Sequence, residues 1–180
     1  MQYTGDKQTL DQRAKNIRLL VLDVDGVLTD GQLYFSEQGE SLKAFNTLDG
    51  HGIKLLQANG IQVAIISGRR SAALERRATA LGITLLWQGR EDKLNALQEL
   101  LQNAPYAPHE IACVGDDLPD LPIMLASALA ITVPNAHASL RQYASLCTER
   151  PGGQGAVREV ADYLLQSQGK YQDILDSYTS

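Results

Sequence analysis

The sequence predicts an α/β fold in which helices cover both faces of a mostly parallel sheet. Short apolar runs alternate with helical patterns along the chain, and the loops between them are short. This alternation is typical of parallel strands joined through helices. Hydrophobic residues make up 44% of the 180 residues, enough for one domain with a sizeable core. We therefore expect a single domain over residues 1–180 with a doubly wound, Rossmann-like sheet.

Each element follows from local pattern. Strands are predicted where short runs rich in Ile, Leu and Val end at polar or turn-forming residues. In order, these runs are 17–24, 61–67, 83–87, 111–115, 129–133 and 145–148. Helices are predicted where apolar residues recur every three or four positions, as at Leu94, Leu97 and Leu101. In order, the helices are 50–59, 71–81, 91–102, 118–126, 136–143 and 157–166.

Two segments interrupt the alternation. Residues 31–45 read as a β-hairpin around Gly39, inserted between the first strand and the first helix. The other connections are too short for a lid domain, so we expect a hairpin insertion and no lid. A Pro-Gly-Gly-Gln-Gly joint at 151–155 precedes the last predicted helix, and we expect a flexible tail after about residue 168.

Charge and composition narrow the classes of partner. The formal net charge of −5 argues against a nucleic-acid or anionic-membrane surface. No apolar run approaches the ~20 residues that span a bilayer, and the polar segment 1–15 lacks the core of a signal peptide. Cys113 and Cys147 lie in predicted strands and are expected to be buried, reduced thiols. We therefore expect a cytoplasmic protein.

Two carboxylates end the first predicted strand. Asp23 and Asp25 are separated by one residue, which places both side chains on one face of a strand. Two buried like charges are unfavourable unless a cation or a proton lies between them, and Mg²⁺ prefers carboxylates with waters and substrate phosphates. The pair predicts a metal-assisted phosphate site in which Asp23 is the nucleophile and Asp25 the general acid and base. A polar strand end before an Asp-Gly turn is the alternative.

Two cationic or polar motifs are expected at the same edge of the sheet. Ser67-Gly68-Arg69 follows a strand and suits a phosphate oxygen, although a helix-capping turn would have the same sequence. Lys93 lies in the first turn of a helix, where it opposes the helix dipole. A nearby anion would explain that lysine, and a solvated side chain is the alternative.

A third acidic motif follows the strand 111–115. Asp116, Asp117 and Asp120 lie within five residues. One of them can bind a metal while the others orient it and its waters. Capping of the next helix is the alternative explanation for Asp116 or Asp117. Because the carboxyl ends of parallel strands meet at one edge, we expect all these motifs to converge there.

Taken together, the motifs resemble those of the haloacid dehalogenase superfamily of phosphotransferases. The match runs from residue 17 to about 165 and comprises Asp-x-Asp-Gly-Val-Leu, Ser-Gly-Arg, a lone Lys and Gly-Asp-Asp-x-x-Asp. The resemblance implies that Mg²⁺ is held by Asp23, the backbone carbonyl of Asp25, and Asp116. Mn²⁺ or Co²⁺ would also suit an all-oxygen site.

The resemblance also assigns the remaining motif residues. It implies that Asp117 and Asp120 support the metal site, and that Ser67 and Lys93 hold the phosphoryl group as part of the catalytic machinery. Position 25 is an aspartate rather than Thr or Ser, and in this respect the motif resembles that of the phosphatases in the superfamily and not that of the ATPases. Protonation of the leaving group requires such an acid.

Within the superfamily the chain looks closest to a subgroup that acts on sugar-acid phosphates. Three stretches carry this likeness: Asp-Gly-Val-Leu-Thr-Asp-Gly at 25–31, Lys43-Ala44-Phe45-Asn46 leading to Asp49-Gly50, and 153–159. The implied substrate contacts are Asp25, Asn46, Thr47, Leu48, Asp49, Gly50, Lys54, Arg69, Arg77 and Lys93. Members of this subgroup lack a lid domain, as we expect of this chain. The resemblance also implies a homotetramer, in which the hairpins pack into a central barrel and a neighbouring subunit covers the active site.

Three readings of the function remain open. Leu48 stands where many members of the subgroup carry Arg, so the substrate is either an eight-carbon or a nine-carbon sugar-acid phosphate. A non-enzymatic oligomerisation module of the same fold is the third reading. The complete set of motif residues argues against it, because unpaired buried carboxylates destabilise a fold that no longer binds a metal.

Overall fold

A central sheet of seven strands organises the molecule, a computed structural model that describes residues 1–104 and 106–179. The strands are β1 Gln2–Tyr3, β2 Leu19–Leu22, β3 Tyr34–Ser36, β4 Gly39–Leu42, β5 Gln62–Ser67, β6 Leu85–Gln88, β7 Ile111–Gly115, β8 Leu129–Thr132 and β9 Leu146–Cys147. The helices are α1 Lys7–Ala14, α2 Thr47–Ala58, α3 Ala72–Leu81, α4 Lys93–Asn103, α5 Leu121–Leu125, α6 Ala156–Ser167 and α7 Tyr171–Ser177.

The order of strands in the main sheet is β1-β9-β8-β7-β2-β5-β6. Every neighbouring pair is parallel except β1 with β9. Strands β3 and β4 form a separate two-stranded hairpin. Among the described residues no other strand lies outside the main sheet, so the prediction of a doubly wound, mostly parallel sheet with a hairpin insertion and no lid is confirmed.

Helices bury the sheet on both faces. Leu20 and Leu22 of β2 join a core that α1, α2, α3 and α6 cover, whereas Leu19 and Val21 join a core covered by α4 and α5. All four side chains are buried. A central strand covered on both sides reads as a continuous apolar run, which is why this part of the sheet is visible in the sequence. The described helices include none long and apolar enough to cross a membrane.

Both ends of the chain add elements that the sequence pattern did not predict. Strand β1 extends the sheet edge, and α1 begins after Asp6, whose carboxylate accepts a hydrogen bond from the Thr9 amide at 2.8 Å. Helix α1 buries only Leu10 and Ala14, too few for a visible apolar stripe. Past residue 168, where we expected a flexible tail, the chain forms α7, which packs Tyr171 and Ile174 against the core. Ser180 lies outside the described residues.

Prolines account for the main error inside the domain. The predicted helix 118–126 is a 3₁₀ turn, Leu118–Asp120, followed by the short α5. Pro122 lacks the amide hydrogen that one continuous helix from residue 118 would need, whereas Pro119 fits the first turn. The predicted helix 136–143 is likewise a 3₁₀ helix, Ala138–Gln142. Helix α2 begins three residues earlier than predicted, because Asn46 caps it.

Candidate active site

The carboxyl ends of three adjacent strands form one edge where the predicted motifs meet. Strand β2 lies between β5 and β7, with Leu22 level with Ile65 on one side and Val114 on the other. Asp23 therefore follows β2 in the middle of this edge, and the ends of β5 and β7 flank it. A cleft at this edge is lined by Asp23, Asp25, Ser67, Gly68, Arg69, Glu91, Lys93, Asp116, Asp117, Pro119 and Asp120. The prediction that these motifs converge is confirmed.

Lys93 is the buried cation of the cleft. It is the first residue of α4 and only 5% exposed, and its ammonium donates to Asp23 Oδ1 and Asp120 Oδ1, each at 2.5 Å. Burial lowers the pKa of Lys93, but the charges of the two aspartates outweigh it and raise the pKa overall. The unfavourable place of a lysine at a helix start is thus explained by these two anions, and the solvated alternative is wrong.

Three carboxylates crowd around this lysine. One oxygen each of Asp23, Asp116 and Asp120 lies within 4.8 Å of the others. Burial, with the charge of Asp120, raises the pKa of Asp23 to about 6. Burial and the charges of Asp23 and Asp120 raise the pKa of Asp116 to about 8. One ammonium does not neutralise three carboxylates, so the cluster has the charge and the hard oxygen donors that a divalent cation requires.

Asp120 is fixed as the orienting member of the cluster. While its Oδ1 binds Lys93, its Oδ2 accepts the amides of Asp116 at 3.0 Å and Asp117 at 3.2 Å. A Cβ at Gly115 would lie 2.3 Å from the Cβ of Asp120, so only glycine allows this close approach. With both oxygens engaged, Asp120 shapes the turn after β7 and leaves Asp116 as the carboxylate that faces Asp23.

Asp117 has a different role from its neighbours. Its Oδ1 accepts the Leu118 amide at 2.8 Å, which caps the 3₁₀ turn. The capping alternative therefore describes this residue in the structure, although Asp117 also lines the cleft.

Ser67 and the two residues after it form the other wall of the cleft. Ser67 is buried at the end of β5, and its hydroxyl accepts the Arg69 amide at 3.3 Å. Among the described residues Ser67 donates no hydrogen bond from this hydroxyl, and the residue lines the cleft. The Ser71 side chain makes no capping hydrogen bond to α3. Ser67 thus stands where a phosphate oxygen would accept a hydrogen bond from it.

The chain is similar to known phosphatases in sequence and in fold. A model of the haloacid dehalogenase-like hydrolases matches residues 86–159. The 3-deoxy-D-manno-octulosonate 8-phosphate phosphatase of Yersinia pestis is 52% identical over 161 residues, which make up 89% of this chain and 86% of that protein. The chain belongs to the haloacid dehalogenase family of hydrolases.

Crystal structures of other members of the haloacid dehalogenase family superpose closely. A probable phosphatase of the YrbI family from Pseudomonas syringae has a TM-score of 0.94 and 49% identity, covering 97% of this chain and 99% of that one. The 3-deoxy-D-manno-octulosonate 8-phosphate phosphatase of Moraxella catarrhalis has a TM-score of 0.93 and 39% identity, covering 96% and 99%. That structure contains a magnesium ion, a phosphate ion and a KDO molecule.

The start of α2 gathers some of the substrate contacts that the family resemblance implied. Asn46 caps the helix through a 2.8 Å hydrogen bond from the Leu48 amide, and Arg77 of α3 donates to the Asn46 carbonyl at 3.2 Å. Arg77 also packs against Gly50, where a Cβ would lie 2.2 Å from its Nη2. Thr47 and Leu48 are exposed beside them. Asn46, Gly50 and Arg77 thus form one cluster, next to the cleft rather than inside it.

Asp49 holds the start of α6 in the structure. It is buried, and its two oxygens accept the amides of Gly155 at 3.3 Å and Arg158 at 2.8 Å at the start of α6. Burial raises the pKa of Asp49, against the lowering effect of these backbone donors. The substrate contact expected at Asp49 stays a prediction that this arrangement does not favour, because both oxygens serve a helix start. Lys54 lies one turn further along α2, exposed and outside the residues that line the cleft.

Asn135 and the glycine loop 151–155 support residues 24–29, which follow Asp23 and are named the nucleophile loop after its predicted role. The sequence pattern did not reveal this support. The Asn135 amide nitrogen donates to the Gly26 carbonyl at 2.9 Å, and its oxygen accepts the Gly152 amide at 2.8 Å. The Gly153 amide donates to the Val27 carbonyl at 3.0 Å. The five-residue glycine loop, predicted as a flexible joint, is therefore docked on the loop that follows Asp23.

Gly26 brings that nucleophile loop against the acidic cluster. Its φ of 104° is in the region that favours glycine, and a Cβ there would lie 2.0 Å from Asp116 Oδ2. The Asp-Gly pair in the first motif therefore reflects close packing against Asp116 as well as turn geometry.

Asp25 pairs with a lysine that was absent from the predicted site. Lys43 donates to Asp25 Oδ1 at 2.5 Å, and Arg69 Nε lies 3.9 Å from Asp25 Oδ2. In the sequence, Lys43 stands out only through the family likeness of the stretch Lys43-Ala44-Phe45-Asn46. Its contact with Asp25 spans eighteen residues and depends on the path of the hairpin, which no local pattern specifies.

Proposed function

We propose that this chain is a Mg²⁺-dependent phosphatase that hydrolyses 3-deoxy-D-manno-octulosonate 8-phosphate to the free sugar acid and phosphate, in lipopolysaccharide synthesis. The observation that carries the proposal is the buried Asp23, which faces Lys93 and Asp116 at the end of β2 in a chain of this family. The identity of 52% with the Yersinia phosphatase over most of both chains supports the choice of substrate.

The carboxylates of Asp23 and Asp116, with the backbone carbonyl of Asp25, would hold the metal. Their oxygen donors and uncompensated charge fit Mg²⁺, and Mn²⁺ or Co²⁺ would also suit such donors. When bound, the cation neutralises charge on the transferring phosphoryl group. Asp120 would support the metal site indirectly, because it fixes the Asp116 backbone and Lys93. Asp117 would support it by capping the adjoining turn.

Asp23 would act as the nucleophile and Asp25 as the proton donor and acceptor. A carboxylate oxygen of Asp23 attacks phosphorus, the bond from phosphorus to the sugar oxygen breaks, and Asp25 gives that oxygen its proton. Asp25 then takes a proton from a water that attacks the aspartyl-phosphate, which releases phosphate and restores Asp23. Lys93 and the Ser67 hydroxyl would hold the phosphoryl oxygens during both steps.

The sugar acid would lie beyond the phosphoryl group, between Arg69 and the start of α2. Its carboxylate and hydroxyls suit cationic and amide donors, and Arg is well matched to a carboxylate. The proposed contacts are Asn46, Thr47, Leu48, Gly50, Lys54, Arg69 and Arg77. Asp49 is no longer among them, since its oxygens bind α6.

We also propose that the chain works as a homotetramer in the cytoplasm, with its hairpins at the subunit contacts. Within the described residues the hairpin pairs with no other strand, and it exposes Leu33, Tyr34, Phe35 and Leu42, with Phe35 63% exposed. Clustered apolar side chains on a solvent-facing hairpin favour burial against another subunit. The free thiols Cys113 and Cys147 agree with a reducing compartment.

Phosphate release from a panel of sugar phosphates, with Mg²⁺ and with EDTA, tests the function. We expect metal-dependent release concentrated on 3-deoxy-D-manno-octulosonate 8-phosphate. Similar kcat/KM values over many unrelated sugar phosphates would support a phosphatase activity but contradict the proposed substrate and its place in lipopolysaccharide synthesis. No release from any phosphate by protein that binds the metal would favour the non-enzymatic module.

A nine-carbon keto-sugar acid 9-phosphate is the second candidate substrate. The observation that favours it is Leu48, which is 44% exposed at the start of α2, where the family resemblance leads us to expect Arg. Loss of that cation weakens one possible recognition element for the shorter acid. The ratio of the kcat/KM values for the two substrates decides which one the enzyme prefers. Because the substrates differ by one carbon unit, we expect this ratio to be about 10–200.

A further inference from the structure

The hairpin insertion delivers a buried lysine to the predicted general acid and base. Lys43 directly follows β4, and its side chain is 2% exposed. Its ammonium lies 2.5 Å from Asp25 Oδ1 and 3.3 Å from Glu40 Oε1, both within the same chain. A buried ammonium is stable only when paired, so the cost of burying Lys43 is offset mainly through Asp25.

The contact leaves the two oxygens of Asp25 in different surroundings. Lys43 holds Oδ1, whereas Oδ2 has Arg69 Nε at 3.9 Å, beyond a direct hydrogen bond. Because Lys43 holds one oxygen of the carboxylate, the Asp25 side chain is restricted to one rotamer. The other oxygen is then available to a group in the cleft that Asp25 lines.

We propose that Lys43 is a positioning residue for Asp25, with Glu40 orienting Lys43 in turn, and that the hairpin therefore has a part in the chemistry of its own subunit. This rests on the proposed phosphatase function. Lys43 holds Asp25 Oδ1 so that Oδ2 faces the leaving oxygen of the substrate, and it touches neither the substrate nor the metal.

A residue that acts through the general acid affects substrates unequally. Cleavage of an alkyl phosphate, such as a sugar phosphate, needs a proton on the leaving oxygen, whereas p-nitrophenolate leaves without one. Loss of Lys43 should therefore slow turnover of the sugar phosphate far more than turnover of p-nitrophenyl phosphate.

Steady-state kinetics of Lys43→Met and Lys43→Arg on both substrates test the proposal. For Lys43→Met we expect kcat on the sugar-acid phosphate to fall by about 10–100-fold, part of the 10²–10⁴-fold that general acid catalysis supplies, with KM changed by less than about threefold. Turnover of p-nitrophenyl phosphate should change by less than about threefold. Lys43→Arg keeps the cation and should restore much of the loss.

Lys7→Met is the matched control, because Lys7 makes a 2.5 Å contact with Asp11 on the solvent-facing side of α1. It should leave both activities unchanged. Glu40→Gln tests the outer link and keeps the proposal testable if Lys43→Met fails to fold. It should lower kcat on the sugar phosphate in the same selective way, by a smaller factor.

Three results would overturn the role of Lys43. These are an equal fall on both substrates, a rise in KM for the sugar-acid phosphate at unchanged kcat, and no effect of either Lys43→Met or Glu40→Gln. The second result would make Lys43 a ligand of the substrate. Wild-type protein that hydrolyses neither phosphate would instead contradict the proposed function, so the two failures are distinguishable.

Discussion

At the scale of single residues, contact between backbone groups decides where the nucleophile loop lies. The Gly26 carbonyl fits between the Asn135 side chain and Gly152, and a Cβ at Gly152 would lie 1.7 Å from that carbonyl oxygen. Because the neighbour is backbone, it cannot move aside as a flexible side chain would. The glycine at 152 is therefore required by the position of residues 25–27.

We expect Gly152→Ala to destabilise the protein by about 1–3 kcal/mol, a typical effect of overpacking. It should also reduce turnover, since the clash displaces Gly26 and its neighbour Asp25. Urea unfolding and kcat measure the two effects. Gly5→Ala is the control, because its nearest neighbour would be Leu10 Cδ1 at 4.0 Å. Unchanged stability in Gly152→Ala would mean that the glycine loop is not fixed against the nucleophile loop.

The carboxylate cluster makes a second residue-scale prediction, about the metal. At a Mg²⁺ concentration of about 100 Kd, binding should stabilise the wild-type protein by about 2.7 kcal/mol. For a chain of this size, that stabilisation raises Tm by about 5–10 °C. Asp116→Asn should lose most of this shift, because it removes a charged ligand.

Without metal, Asp116→Asn should be at least as stable as the wild type. Burial and two nearby aspartates disfavour the charge on Asp116, as its raised pKa indicates. Thermal unfolding with and without Mg²⁺ gives both values, and Asp173→Asn on the exposed side of α7 is the control. If Mg²⁺ raised the Tm of Asp116→Asn as much as that of the wild type, Asp116 would not be a metal ligand.

At the scale of elements, helix α6 is tied to the start of α2 by one buried carboxylate. Asp49 accepts the amides of Gly155 and Arg158, while the Asn46 side-chain amide donates to the Gly153 carbonyl at 3.3 Å. The glycine loop thus contacts α2 on one side and the nucleophile loop on the other. The glycine loop therefore supports both the proposed sugar site and the loop that follows Asp23.

We expect Asp49→Ala to lower the free energy of unfolding by about 1–3 kcal/mol, the cost of leaving buried amides without acceptors. Asp49→Asn keeps one acceptor oxygen and should cost less. Denaturant unfolding measures both, with KM for the sugar-acid phosphate as the second readout. A large rise in KM in Asp49→Asn, at unchanged stability, would return Asp49 to the substrate site.

What the sequence predicted at this scale is local, and what it missed is long-range. Asp23, Ser67 and Asp116 each follow an apolar strand directly, so strand topology alone brings them together. Asn135 binds Gly26, which lies 109 positions away, and the contact of Lys43 with Asp25 depends on the path of the hairpin. The role of Asp49 was missed because its partners are amides at a distant helix start, which carry no sequence signal.

At the scale of the whole molecule, the exposed hairpin makes the oligomeric state testable. Phe35 is 63% exposed on β3 and contributes nothing to the described core. We expect Phe35→Asp to reduce the solution mass from four chains to one or two, because a charge does not fit an apolar subunit contact. Light scattering after gel filtration measures the mass, and Asp173→Asn is again the control. A wild-type monomer would contradict the tetramer outright.

The central claim is that Asp23 attacks phosphorus with the help of a divalent metal. Phosphate release from 3-deoxy-D-manno-octulosonate 8-phosphate by wild type and by Asp23→Asn, each with Mg²⁺ and with EDTA, tests it most directly. The account predicts release only by the wild type with Mg²⁺, while circular dichroism shows both proteins folded, since the substitution is isosteric. Near-normal release by folded Asp23→Asn would contradict the account, because an amide cannot replace the attacking carboxylate.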